Sequence, residues 1–295
     1  MNNFTLKQLR YFDAVAREGH FGKAAEHCAV SQPALSMQIK ELEDGLGTLL
    51  FERSARQVRL TAFGEHFVQQ VRSVLQSVDE LGNIARAAKG HLSGQFRLGI
   101  IPTIAPYLLP DIIKQLALSY PGLEVHVRET QTQKLVEELS SGRLDAAVLA
   151  LPVSENNLDE AKLFEEEFVL VRAYADKDKP PPNQESLREM KLLLLEEGHC
   201  FRDQALSFCS IPAGRPRETL DGSSLSTLVQ MVSAGMGVTF IPEMAVAIET
   251  RSADVFTQRF ADPKPKRTIG MVWRKTNPLA GQFIEMASQI RQVAE

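Results

Sequence analysis

A long amphipathic stretch, residues 61–90, constrains the organisation of this chain more than any other feature. Its apolar or small side chains are spaced by 4, 4, 3, 4, 3, 4 and 3 residues: Phe63, Phe67, Val71, Val74, Val78, Leu81, Ala85 and Ala88. This spacing is close to a heptad repeat, which predicts a helix that pairs with a second copy of itself. A helix packed only on its own domain is the alternative. The stretch divides the chain into an N-terminal domain (1–60), a linker and dimerisation helix (61–90) and a C-terminal domain (91–295).

The N-terminal domain has the pattern of a helix-turn-helix. Apolar residues recur at helical spacing from Leu6 to Val15, and residues 21–30 predict a second, short helix. Ser31 is a suitable N-cap for a third helix, and Pro33 falls in its first turn, where the missing N–H is not needed. Two short helices joined by a tight turn indicate DNA binding. The residues expected at or near the major groove are Ser31, Gln32, Pro33, Ser36 and Gln38.

A basic hairpin follows this third helix. Residues 49–60 predict a β-ribbon that carries Arg53, Arg56 and Arg59, which is typical of a wing that contacts phosphates. Residues 1–65 hold eight Lys or Arg and eight Asp or Glu, and the whole chain has a net charge of −4. The prediction of double-stranded DNA as a partner therefore rests on the arrangement of elements and not on charge. A small helical bundle with a charged hairpin is the alternative.

Strand and helix patterns alternate after residue 95, which predicts a parallel-sheet α/β domain. We expect two lobes, lobe I (91–164 and 268–295) and lobe II (165–267), with a ligand cleft between them. Strands are predicted at Phe96–Ile101, Leu123–Glu129, Asp145–Ala150, Phe168–Ala173, Leu192–Leu195, Val238–Ile241 and Arg267–Trp273. Helices are predicted at Pro106–Ser119, Thr132–Ser140, Ser224–Ser233 and Leu279–Val293.

Two cysteines with different neighbours occupy the segment 198–209. Cys200 lies between His199 and Arg202, at the predicted start of a helix, and all three features favour a thiolate. Cys209 follows Leu206 and Phe208 and is predicted to be a buried, inert thiol. A helix would separate the two Cα atoms by roughly 13 Å, whereas a disulfide needs about 4.4–6.8 Å. The pair can therefore bond only if the segment refolds, as a redox switch requires. Two unrelated cysteines are the alternative.

Several other classes of protein are disfavoured. The chain has no apolar run of the roughly 18 residues that a membrane helix needs, and residues 1–10 lack the features of a signal peptide. Its three cysteines, an odd number, favour a reducing, cytoplasmic location. A zinc site built from His199, Cys200 and Cys209 would lack a close cysteine pair, so no metal is expected. No nucleotide-binding or hydrolase motif occurs, and no cofactor is expected.

The whole arrangement resembles the LysR-type transcriptional regulators, and the resemblance covers essentially the entire chain. Within that family, the segment 198–209 is similar to the signature of the hydrogen-peroxide-sensing members, as are residues 101–110, 130–132 and 267–270. Phe201 departs from the pattern, because similar proteins usually carry Leu there. Residues 176–186 also look short.

The resemblance implies a mechanism and a set of partners. Cys200 would be the peroxidatic cysteine and Cys209 the resolving cysteine of a disulfide. The residues that would hold hydrogen peroxide and assist proton transfer are Thr103, Thr132, His199, Arg202 and Asp203. The family further implies an activator of antioxidant genes that is not an enzyme, a homotetramer (a dimer of dimers) on DNA, contact with RNA polymerase, and reduction by glutaredoxin or thioredoxin. Two alternatives stay open: a LysR-type regulator that answers a small organic ligand in the cleft, and a thiol peroxidase.

Overall fold

The computed structural model describes residues 4–52, 58–87, 92–180, 182, 184–209, 221–260 and 262–294. The chain separates into two compact units, residues 1–85 and 86–295. The described part of the first unit contains four helices: α1 (Leu6–Glu18), α2 (Phe21–His27), α3 (Gln32–Leu46) and α4 (Ala62–Ala87).

Local hydrogen bonds explain where the first three helices begin. A capping box of Thr5 and Gln8 opens α1. The imidazole Nδ1 of His20 accepts from two backbone N–H groups at the start of α2. Ser31 caps α3, and Pro33 lies in its first turn, as predicted. These caps define a helix-turn-helix in which α3 is the second helix of the motif.

The base of the predicted wing is an antiparallel bridge between Phe51 and Leu60. The Glu52 N–H donates to the carbonyl oxygen of Arg59 at 2.8 Å, which continues this pairing. Arg53 and Arg56 lie outside the described residues, so the tip of the predicted ribbon stays a prediction. Arg59 is exposed beside the bridge.

The apolar side chains of α4 divide between two faces. Val68 and Val71 are buried in the core of the N-terminal unit, with exposed fractions of 3% and 2%. Val74 and Leu81 lie on another face and are 45% and 65% exposed. The prediction that Val71 belongs to a dimer seam therefore needs correction, because this side chain already packs within its own unit.

The second unit is built on a mixed sheet. Its larger sheet has the order β2-β1-β3-β9-β4-β7, with β8 also paired to β4. The strands are β1 (Gly94–Ile100), β2 (Leu123–Glu129), β3 (Ala146–Leu151), β4 (Leu158–Ala173), β5 (Leu194–Leu195), β6 (Asp221–Gly222), β7 (Thr239–Pro242), β8 (Val255–Arg259) and β9 (Lys266–Arg274). The helices are α5 (Ala105–Ser119), α6 (Thr132–Ser140), α7 (Gln184–Glu189), α8 (Cys200–Phe208), α9 (Leu225–Ser233), α10 (Val246–Glu249) and α11 (Ala280–Ala294).

The expectation of parallel pairing holds for β1, β2 and β3 and for the short pair of β5 and β6. β1 pairs in parallel with β2 and with β3, but β9 and β4 run antiparallel to their neighbours. The predicted strand at Phe168–Ala173 is the second half of β4, which begins ten residues earlier, at Leu158. β4 and β9 are long because each crosses from one half of the unit to the other.

Two separate hydrophobic cores fill the second unit. The first draws its buried residues from 92–163 and 269–290, and the second from 168–260. We refer to the elements around the first core as lobe I and to those around the second as lobe II. The paired strands β4 and β9 connect the two lobes side by side.

Candidate functional site

Cys200 is the first residue of α8, as predicted. The short strand β5 ends at Leu195, and a turn through Gly198 leads into the helix. Gly198 has a φ of +94°, which glycine adopts without strain. His199 is the N-cap residue but forms no side-chain cap. The Cys200 thiol therefore lies at a helix N-terminus, where the aligned peptide dipoles favour negative charge.

The two cysteines of α8 belong to different cores. Cys200 is half-buried and packs against the core of lobe I. Cys209 is 0% exposed, ends α8 and belongs to the core of lobe II. Both are reduced cysteines. Because an intact helix separates their Cα atoms by roughly 13 Å, the structure shows the dithiol form, and a disulfide requires one cysteine to leave its core.

His199 and Arg202 interact differently from the sequence-based expectation. Burial lowers the pKa of His199 below its ordinary value, against an opposing effect of Glu196, so the imidazole is neutral at pH 7. The Arg202 guanidinium donates to the carbonyl oxygen of Leu195 and to Asp221 Oδ1, both at 2.7 Å. His199 therefore offers hydrogen bonding rather than charge, and Arg202 ties α8 to β5 and β6.

Four of the five predicted peroxide-binding residues line two separate cavities, and Arg202 is in the wall of neither. A cavity of about 340 Å³ has Thr132, Gly198, Cys200 and Asp203 in its wall. The Thr132 Oγ1 atom is buried and has no hydrogen-bond partner among the residues that the structure describes, so it can accept from or donate to a small polar guest. Thr103 and His199 line a second cavity, of about 400 Å³.

A buried arginine that the sequence did not single out as functional joins the lobes behind Cys200. Arg267 of β9 is 2% exposed and forms an ion pair with Glu166 of β4, with Nη2 2.6 Å from Oε1. Its guanidinium also donates to Thr103 Oγ1 at 2.8 Å and to the Thr103 carbonyl oxygen at 3.0 Å. It lies 5.4 Å from the ring centroid of Phe201.

The contacts of Arg267 fix the positions of the Thr103 and Phe201 side chains. The Thr103 hydroxyl accepts from Arg267 and is therefore oriented to donate its own proton elsewhere. Phe201, the departure from the usual leucine, is 3% exposed and packs against Phe168 at 4.7 Å between ring centroids. Its ring fills the core of lobe II, on the side of the helix away from the solvent.

One face of α3 carries three of the five residues predicted to lie at or near the major groove. Gln32 and Pro33 are exposed and Ser36 is half-buried on one face, which also presents the exposed Lys40. The Ser31 hydroxyl accepts from the Ala34 N–H, so it acts as a cap. Gln38 lies on a different face, where its amide donates to Glu41 at 2.7 Å. Lys40 therefore shares the predicted DNA face, and Gln38 does not.

Two other kinds of feature do not occur among the described residues. Within the described ranges, no group of three or more His, Cys, Asp or Glu side chains is arranged to hold a metal ion. No helix in the part of the chain that the structure describes is long and apolar enough to cross a lipid bilayer.

Residues 6–65 match the family of bacterial regulatory helix-turn-helix proteins of the lysR family, and residues 89–292 match the LysR substrate binding domain. The chain therefore belongs to the LysR family of bacterial regulators. The chain is 41% identical over 292 residues to the DNA-binding transcriptional dual regulator OxyR of Escherichia coli strain K12, covering 97% of this chain and 94% of the relative. It is 42% identical over 294 residues to a probable hydrogen peroxide-inducible genes activator of Streptomyces viridosporus, covering 98% and 94%.

Solved structures of full-length relatives have the same architecture. A full-length OxyR variant from Pseudomonas aeruginosa is 39% identical with a TM-score of 0.76, covering 98% of this chain and 95% of that one. A hydrogen-peroxide-bound OxyR variant from Corynebacterium glutamicum is 35% identical with a TM-score of 0.68, covering 99% and 93%. The resemblance to the hydrogen-peroxide-sensing members of the LysR family is confirmed.

Proposed function

We propose that the chain is a transcriptional regulator that senses hydrogen peroxide through Cys200 and Cys209. The observation that carries the proposal is the placement of two reduced cysteines at opposite ends of one helix and in two different cores. Oxidation that joins them must unwind α8 and change how the lobes meet. Such a change is large enough to alter the assembly of subunits and their affinity for DNA.

The chemistry begins at the helix N-terminus. The Cys200 thiolate attacks one peroxide oxygen, the S–O bond forms, the O–O bond breaks, and hydroxide leaves as Cys200 becomes a sulfenic acid. Thr132 and Asp203, which share the cavity with Cys200, are placed to hold the peroxide, and the Thr132 hydroxyl can donate a hydrogen bond to the departing oxygen. We assign supporting roles to Thr103 and His199 through the neighbouring cavity, and to Arg202 through its anchoring of α8.

The second step forms the disulfide. After α8 unwinds, the Cys209 thiol attacks the sulfur of the sulfenic acid, the S–S bond forms, the S–O bond breaks, and the hydroxyl leaves as water with the thiol proton. A dithiol reductant of the glutaredoxin or thioredoxin class would reverse the reaction. Mass spectrometry of the peptide spanning Cys200 and Cys209 tests the proposal directly. After stoichiometric peroxide, we expect a loss of two hydrogens, and an unmodified peptide would refute it.

The proposed regulator works in the cytoplasm as a homotetramer that contacts RNA polymerase and is not an enzyme. A second candidate function, response to a small organic ligand, is favoured by the 400 Å³ cavity, whose wall includes Tyr107, His199 and Glu249. The two functions differ in one observation. A peroxide sensor loses its response to hydrogen peroxide when Cys200 is replaced. A ligand-responsive regulator keeps its response to the organic ligand after the same replacement.

We expect Arg59→Ala to weaken binding to every DNA sequence to a similar extent. Loss of one phosphate contact should reduce the slope of log K against log salt by about one unit. Ser36→Ala, on the exposed face of α3, should instead change which operator is preferred. Electrophoretic or anisotropy titrations at several salt concentrations measure both effects. Lys275→Ala, an exposed lysine of the second unit, is the control. Unchanged affinity of the Arg59 variant across salt would remove Arg59 from the interface.

We expect Leu81→Asp to dissociate the assembly into smaller species. Leu81 and Val74 present exposed apolar surface on α4, so a charge there would be buried only by a partner helix. Sedimentation velocity measures the change, with Gln69→Asp on another, exposed face as the control. Val71→Asp should destabilise the N-terminal unit itself. An unaltered sedimentation coefficient for Leu81→Asp would place the interface elsewhere.

A further inference from the structure

Gln131 occupies a capping position but does not cap its helix. It is the N-cap residue of α6 in lobe I, and no side-chain cap hydrogen bond forms there. Its amide Nε2 donates instead to the carbonyl oxygen of Glu197 in lobe II, at 3.2 Å. A polar side chain at the start of a helix ordinarily bonds to the backbone of its own first turn. That of Gln131 connects two lobes.

The Gln131 side chain also lies directly on the backbone of Gly198. A Cβ atom at Gly198 would be only 2.5 Å from Gln131 Oε1, so glycine is required for this approach as well as for its φ of +94°. Gln131 therefore holds the turn at Glu197 by a hydrogen bond and at Gly198 by packing. Both contacts come from the one side-chain amide and fall on adjacent residues of the turn.

This turn fixes the position of Cys200, because only His199 separates Gly198 from the cysteine. Thr132, the neighbour of Gln131, lines the same cavity as Gly198 and Cys200. The contact made by Gln131 therefore keeps the thiol against lobe I and opposite the unpartnered Thr132 hydroxyl. When Cys200 leaves lobe I for Cys209, the turn ahead of it must move and this contact must break.

We propose that Gln131 is a positioning residue that clasps the Glu197–Gly198 turn, favouring reaction of Cys200 with peroxide and opposing closure of the disulfide. The inference rests on the proposed function. It predicts that loss of the Gln131 side chain slows oxidation of Cys200 but favours the disulfide. General damage to the fold would impair both steps. The residue acts through the turn and touches neither sulfur.

The test uses Gln131→Glu, which keeps the length of the side chain but removes the amide donor, and Gln131→Met, which adds no charge. In a Cys209→Ser background, sulfenic acid formation at Cys200 should slow about fivefold, the effect of one lost hydrogen bond. With both cysteines present, equilibration with dithiothreitol should show the disulfide favoured about fivefold, a reduction potential about 20 mV lower. Trapping with a sulfenic-acid reagent measures the rate of sulfenic acid formation, and thiol alkylation measures the fraction of disulfide at equilibrium. Both are read by mass spectrometry.

Gln292→Glu makes the same chemical change on the exposed surface of α11 in lobe I and should alter neither number. If the Gln131 variants and the parent show the same oxidation rate and the same disulfide stability, the proposed role of Gln131 is wrong. It is also wrong if the variants both oxidise more slowly and form a less stable disulfide. If the parent itself forms no sulfenic acid at Cys200, the proposed function fails, and that result is visible before any Gln131 variant is compared.

Discussion

Cys200→Ser should abolish the response to hydrogen peroxide while leaving the reduced-like protein folded and able to bind DNA. Serine is close to cysteine in size, and Cys200 is half-buried at the beginning of α8, so little packing is lost. Its hydroxyl cannot form a sulfenic acid. Operator binding before and after stoichiometric peroxide measures the effect, and retention of a peroxide-dependent change would show that the sensor lies elsewhere.

Cys209→Ser separates the two chemical steps. This variant should still form a sulfenic acid at Cys200 but no disulfide. Hydrogen exchange of the amides of residues 204–209 in the parent gives a further check, because the intact helix protects them and unwinding exposes them. Equal protection before and after peroxide would contradict the refolding mechanism even if the disulfide forms.

The second large effect is expected at Arg267. Arg267→Leu should reduce the free energy of unfolding of the second unit by about 3–5 kcal/mol, because it leaves the buried Glu166 carboxylate without its partner. Trp273, the one tryptophan of the chain, is buried in the core of lobe I on the same strand as Arg267. Its fluorescence during denaturant unfolding therefore reports on this unit specifically.

The double variant Arg267→Leu/Glu166→Leu is the matched control. Removing both charges avoids a stranded ion, so the double variant should be more stable than Arg267→Leu alone. If the single and double variants unfold at the same denaturant concentration, the lost stability comes from packing and not from the ion pair. Arg259→Leu, which removes two ion pairs at the surface, should change the free energy of unfolding by less than about 1 kcal/mol.

The sequence predicts best where the signal is local. The bounds of α6 and β2 match the structure to the residue, since both elements combine a regular apolar pattern with clear ends. The N-cap at Ser31 and the helix start near Cys200 depend on neighbouring residues and are confirmed. The division into a helix-turn-helix, a long helix and a two-lobed α/β domain follows from the order of these patterns.

The sequence predicts poorly where an element depends on distant partners. The first half of β4 contains Asp159, Glu160 and Glu165, an acidic composition that is unusual for a strand, and it is extended because β9 pairs with it. Strand direction is a property of the fold, so helix–strand alternation could not show that β9 runs antiparallel to β3. Arg267 is buried against a glutamate 101 residues away, which no local pattern indicates.

The candidate site shows the same division. The sequence of the segment 198–209 shows which types of residue are near Cys200, but the roles of these residues depend on their burial. His199 is adjacent to Cys200 in sequence, yet it lines the other cavity and is neutral because it is buried. Arg202 could be expected beside the thiol, but Asp221 and the Leu195 carbonyl bind it. Gln131 acts on a turn 66 residues away.

In the proposed mechanism, the separation of the two sulfurs also limits the range of peroxide concentrations over which the switch can work. Cys209 is enclosed in lobe II while Cys200 lines an open cavity, so a newly formed sulfenic acid must wait for α8 to unwind. During that interval a second peroxide molecule can oxidise the same sulfur to a sulfinic acid, which a thiol reductant does not reverse. Unwinding of α8 and oxidation to the sulfinic acid thus compete, and only the rate of sulfinic acid formation depends on peroxide concentration. The rate at which one short helix opens sets the dose above which a reversible signal becomes permanent damage.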